Sequence, residues 1–94
     1  MNDRRKDAEV LALQALGWLM SDADLAAICL EMTGADAATL RERAEDPDLL
    51  AAVLDVVLSS DTLVRGFAQE AGIPPARVAQ ARRLLPGGES IDWI

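Results

Sequence analysis

Apolar residues crowd nearly every helical face of the stretch VLALQALGWLM, Val10 to Met20. That pattern belongs to a helix buried on most of its sides, so a first, central helix is predicted from about Asp3–Asp7 to about Met20. Beyond it the chain is punctuated repeatedly. Ser21 is placed to cap a second helix, with Asp22 and Asp24 in its first turn, where the helix dipole favours acids. Leu25, Ile28, Cys29 and Met32 make its inner stripe, and Gly34 supplies the left-handed residue that ends it. Asp36 caps a short third helix to about Ala44. Asp46 before Pro47 marks the next start, a capping carboxylate followed by proline at the first helical position. The fourth helix, Pro47 to about Ser59, is apolar over Leu49–Leu58 except for Asp55. Ser60 or Asp61 caps a fifth, which ends at Gly72. Pro74 and Pro75 open a sixth, which runs to about Leu85 before Pro86, Gly87 and Gly88 stop it. No segment alternates with period two over strand length. The fold class predicted is all-α: a compact bundle of five to six helices in a single domain over 1–94, with a frayed start at 1–6 and a C-terminal turn and apolar tail at 86–94.

The same punctuation recurs at a shift of 38 positions: Leu16 falls on Leu54, Ser21 on Ser59, Leu25 on Leu63, Cys29 on Phe67, Gly34 on Gly72, Ala38 on Ala76 and Leu40 on Val78. Helices one to three thus resemble helices four to six, which predicts two trihelical halves with the first and fourth helices together at the centre. The expected core includes Leu16, Leu25, Ile28, Leu54, Leu63 and Phe67.

Composition narrows the chemistry. The chain has 94 residues, a net charge of −7, one cysteine, and neither histidine nor tyrosine. Without an imidazole there is no Ser-His or Cys-His nucleophile and no histidine metal ligand. Cys29, on an inner stripe, reads as a small buried thiol. The acids cluster where helix starts explain them, at Asp22 and Asp24 and at Glu45, Asp46 and Asp48. Asp48, Ala52, Asp55 and Ser59 share one stripe, predicted to face water. No glycine-rich phosphate loop and no EF-hand ladder is present, so no catalytic residue, metal or cofactor is expected. The apolar runs fall short of the roughly 20 residues that span a bilayer, and with a lone cysteine and no signal-peptide pattern a cytoplasmic location is expected.

One segment carries a sharper suggestion. FAQEAGIPPARVAQARR, Phe67 to Arg83, has the spacing of a helix-turn-helix: Phe67, Ala68 and Ala71 inward, Gly72 at the turn, Ile73 buried after it, then Val78 and Ala81 inward. It resembles the helix-turn-helix of bacterial repressors over about twenty residues, which implies a second helix set in the major groove. Gln80 would then meet bases, and Arg77, Arg82 and Arg83 phosphates. Against this, residues 1–72 hold fourteen acids and six bases, a balance of −8 that repels a duplex. The first expectation is therefore a non-enzymatic protein-interaction module, and the alternative a divergent DNA-binding domain using residues 67–83. The tail residues Ile91, Trp93 and Ile94 are the candidate contacts. They are expected to fold back on the protein's own helices or else to dock into a partner or a second copy.

Along nearly the whole chain, the motifs ALQALGWL (Ala12–Leu19), TGAD (Thr33–Asp36), DPDLLAAVLDVVL (Asp46–Leu58) and FAQEAGIPPARVAQARRLLPGGE (Phe67–Glu89), with Trp93, resemble a small family of uncharacterised alphaproteobacterial proteins of about this length. The resemblance implies a compact helical domain of unknown function and brings with it no activity, cofactor or catalytic residue.

Overall fold

The computed structural model describes residues 4–87, which form six α-helices and no strand. The helices are α1 (Arg4–Met20), α2 (Ala23–Thr33), α3 (Ala37–Glu42), α4 (Pro47–Leu58), α5 (Asp61–Ala71) and α6 (Ala76–Arg83). Four of them start on the side chain of a capping residue. Asp22 accepts from the backbone N–H groups of Asp24 and Leu25, Asp36 from Thr39, Asp46 from Asp48, and Ser60 from Leu63. Each bond satisfies a donor that the first helical turn leaves without a partner. The cap of α2 is thus Asp22, where Ser21 was expected. The Ser21 hydroxyl instead donates back to the Trp18 carbonyl at 2.7 Å, closing α1. The sixth helix starts and ends inside its expected bounds. Pro75 at its N-cap makes no side-chain bond, and the chain leaves the helix at Leu84. Gly34 and Gly72 end α2 and α5 in the left-handed conformation, at φ 73° and 70°.

The centre is the pair α1 and α4, which pack on each other and share the remaining contacts with α2, α5 and α6. Ala8, Leu11, Ala12, Ala15, Leu16 and Leu19 of α1 meet Leu50, Val53, Leu54 and Val57 of α4 in one aliphatic core, completed by Leu63, Phe67, Val78 and Leu85. Leu16, Leu54, Leu63 and Phe67 are buried as expected, but two expected core residues are not inside. Leu25 is half-buried and Ile28 is 38% exposed, as is Met32 at 51%. The face α2 turns inward carries Ala26, Cys29, Leu30 and Thr33, so the Leu25–Ile28–Met32 edge lies on its margin. α2 packs chiefly on α1 and α4, and that leaves Ile28 and Met32 largely uncovered. The first helix differs similarly. Its stretch Val10–Met20 is apolar on nearly every face, yet Val10 is 49% and Leu13 44% exposed, because its neighbours leave one side open.

The two halves coincide closely in outline. Adding 38 to the bounds of α2 gives the bounds of α5, and the same shift carries the end of α1 onto the end of α4. The buried pairs Leu16 and Leu54, Cys29 and Phe67, and Leu40 and Val78 also correspond. The third helix of each half keeps that buried position but packs differently. α6 packs on both central helices through Val78 and Ala81, whereas α3 buries only Leu40 and makes no comparable contact.

Candidate functional site

Among the described residues no polar or charged residue is buried, and no group of three cysteines or carboxylates is placed to hold a metal ion. The buried thiol of Cys29 is pushed above its usual pKa by burial, which disfavours the thiolate a nucleophile needs. Two capping carboxyls lie below their usual range. Asp36 is held down chiefly by the Thr39 backbone N–H, and Asp46 by the Arg43 guanidinium that bonds it. Both are exposed or half-exposed helix caps whose partners are local. The capping carboxyls serve the fold by closing helix starts, and the thiol by filling the core.

One surface lies where the end of α1, the start of α2 and the end of α5 converge. A cleft of about 680 Å³ there is lined by Gln14, Gly17, Trp18, Ser21, Asp22, Leu25 and Glu70. Trp18 forms its aromatic wall, half-buried, its ring tilted at 48° to Phe67 with centroids 5.8 Å apart. Gly66 makes that placement feasible, since a Cβ there would come within 3.0 Å of the Trp18 ring. On α1 the outward stripe Val10, Leu13 and Gly17, spaced three and four apart, runs along the helix to the cleft. The only charges among the lining residues are the carboxylates of Asp22 and Glu70. Sequence patterning did not single out Trp18. The signal lay in one small residue at a helical position, Gly66, whose meaning depends on which helices meet.

A second surface joins the start of α1 to α6. A cavity of about 460 Å³ is lined by Arg4, Asp7 and Ala8 of α1 and by Arg77, Gln80, Ala81, Arg83 and Leu84. Three of the four residues proposed from sequence for nucleic-acid contact, Arg77, Gln80 and Arg83, therefore share one site. The fourth, Arg82, points elsewhere. Its Nε donates to Asp55 Oδ1 at 2.7 Å, its Nη2 to Asp55 Oδ2 at 3.3 Å and its Nη1 to the Pro86 carbonyl at 2.9 Å. Arg82 thereby fastens the end of α6 to α4, with its side chain only 15% exposed. Asp55 faces water on its stripe as expected, but it also has this partner 27 residues away, which no local pattern reveals. Arg4 and Asp7 were likewise invisible as site residues, being some seventy positions from α6. The candidate tail contacts Ile91, Trp93 and Ile94 lie outside the described residues.

The helix pair α5–α6 has the inward residues expected of a helix-turn-helix: Phe67, Ala68, Val78 and Ala81 are buried, while Ala71 and Ile73 are half-buried. Among the described residues no helix is long and apolar enough to cross a membrane. The profile of a family described as "Protein of unknown function (DUF3572)" matches residues 5–88. No curated protein and no solved structure matches the chain.

Proposed function

Since the chain belongs to this family of proteins of unknown function, we propose from its surface that it is a protein-interaction module without catalysis of its own. The observation that carries the reading is the open side of α1. Val10 and Leu13 stand exposed on one stripe that leads to the cleft beside Trp18. Isolated exposed aliphatics are ordinary on any protein surface. Here two of them line up with an aromatic-walled cleft on one helix, in a small domain that gains by burying every large side chain it has. Covering a valine or leucine fully is worth roughly 1.5–3 kcal/mol, and Val10 and Leu13, each about half exposed, leave roughly half of that gain to another molecule. The carboxylates of Asp22 and Glu70 at the cleft, with a chain net charge of −7, favour a partner segment that is apolar and basic.

The test is capture from the native cell with the full chain as bait, alongside the double variant Val10→Glu, Leu13→Glu. Both positions are exposed, so the variant should melt within a few degrees of the wild type. At least one protein retained by the wild type should be lost from the variant. If the two baits retain the same proteins, α1 is not the interaction face.

The alternative, a helix-turn-helix that reads DNA through residues 67–83, has less support. Arg82 is committed to Asp55, and Pro74, Pro75 and Ala76, which lead into α6, carry no hydrogen-bonding side chain. That leaves Gln80 as the amide able to read a base edge.

A further inference from the structure

The basic cavity between α1 and α6 has a use of its own, separate from the apolar face of α1. We propose that Arg4, Arg77 and Arg83, with Gln80, bind a phosphate dianion carried at the end of a small molecule. In a chain with sixteen acids and nine bases, four arginines are paired with carboxylates: Arg5 with Glu9, Arg43 with Asp46, Arg65 with Asp61 and Arg82 with Asp55. Among the described residues Arg4, Arg77 and Arg83 make no such pair, and all three line one concavity. Their like charges repel one another, and Asp7 is the only carboxylate among the lining residues, which leaves the site a net charge of +2. A phosphate monoester carries about −1.5 to −2 at pH 7, so one such group neutralises the site.

Geometry favours the same ligand. Guanidinium groups present planar pairs of N–H donors that match phosphate oxygens, and Gln80 adds an amide donor. Arg77, Gln80 and Arg83 follow one another at three-residue spacing, so they project from one side of α6, while Arg4 enters from the facing helix. The floor is apolar, made by the buried Ala8 and Ala81, which brings the charges together over a surface of low polarity. A duplex is a poor fit to so small a site on a chain whose remainder is acidic, and Arg82, the neighbour that would extend the contact along a backbone, is held by Asp55.

Isothermal titration of the full chain with inorganic pyrophosphate at low ionic strength tests the proposal. One saturable site per chain is expected. Arg77→Gln and Arg83→Gln should each weaken it by about tenfold, the usual size of a lost charge-assisted bond at an exposed site. Asp7→Asn should tighten it, because it removes the one repelling carboxylate. Arg41→Gln, on α3 and away from the cavity, should leave it unchanged. All four positions are exposed, so circular dichroism should show the folded state throughout. Absence of saturable binding at millimolar pyrophosphate, or equal weakening by Arg41→Gln, overturns the site. Tighter binding of a random DNA duplex with the same arginine dependence overturns the small-molecule assignment and gives the phosphate to a nucleic-acid backbone.

Discussion

Leu54 and Ile28 look alike in the sequence, large aliphatics on helical stripes, and the structure treats them oppositely. Leu54 is fully enclosed between α4 and α1, whereas Ile28 stands on the open edge of α2. Leu54→Ala should lower unfolding stability by about 2–5 kcal/mol in urea titration, the range for a leucine removed from a tight core. Ile28→Ala should change it by about 0.5 kcal/mol or less. A loss below about 1 kcal/mol for Leu54 would mean that α4 is not central. Cys29 gives an independent check on the inner face of α2. Buried, with its thiol pKa raised, it should react with a thiol reagent in native protein far more slowly than a free thiol. Labelling should accelerate when denaturant opens the fold, and fast labelling of native protein would place α2 wrongly. The inward position of Cys29 was legible from its stripe. The exposure of Ile28 was not, because a stripe four residues wide does not say which edge a neighbouring helix will reach.

At the scale of elements, helix starts were written locally and helix docking was not. Asp36 and Asp46 cap α3 and α4, and both carboxyls sit below their usual pKa through Thr39 and Arg43. A carboxyl whose folded pKa is depressed contributes stability that is present above its unfolded value, about 3.9, and is lost as pH falls through the folded value. The melting temperature should therefore fall as pH drops below about 4. The double variant Asp36→Asn, Asp46→Asn keeps capping amides and loses the charge. It should start lower at neutral pH, and its gap to the wild type should close in acid. A gap that stays constant with pH would mean that neither charge matters. The Arg82–Asp55 tie is the complementary case, a contact between elements. A double-mutant cycle with Arg82→Gln and Asp55→Asn should give a coupling of about 0.5–1 kcal/mol, because Asp55 is over half exposed, and added salt should shrink it. Asp55 stood out as the one acid in an apolar run, but its partner could be found only after α6 had been laid across α4.

For the whole molecule, the tail carries a prediction of its own, since Ile91, Trp93 and Ile94 are three large apolar residues in the last four positions of the sequence. Deletion of residues 91–94 is expected to lower the melting temperature of a monomer, independently of protein concentration, if they fold back. Unchanged melting with lost association in sedimentation would make them an interface instead. No change in either measurement would remove the tail from both roles. A gel shift with random duplex, at low salt, should show no robust binding. Binding abolished by neutralising Arg77 and Arg83 would restore the DNA-reading alternative.

What the sequence determined by itself were the properties set within a few residues: the all-helical class, the starts at Asp36 and Asp46, the left-handed ends at Gly34 and Gly72, and the 38-residue recurrence that put α1 beside α4. Capping bonds and glycine dihedrals are local, and a helical stripe names its inner side to within a residue or two. Tertiary structure alone decided what depends on pairs far apart in the chain. It turned Arg82 from a surface cation into a fastening to Asp55, and it brought Arg4 beside Arg77 and Arg83. It left Val10, Leu13, Ile28 and Met32 in the open, because six short helices around a core of this size cannot cover every apolar face their sequences present.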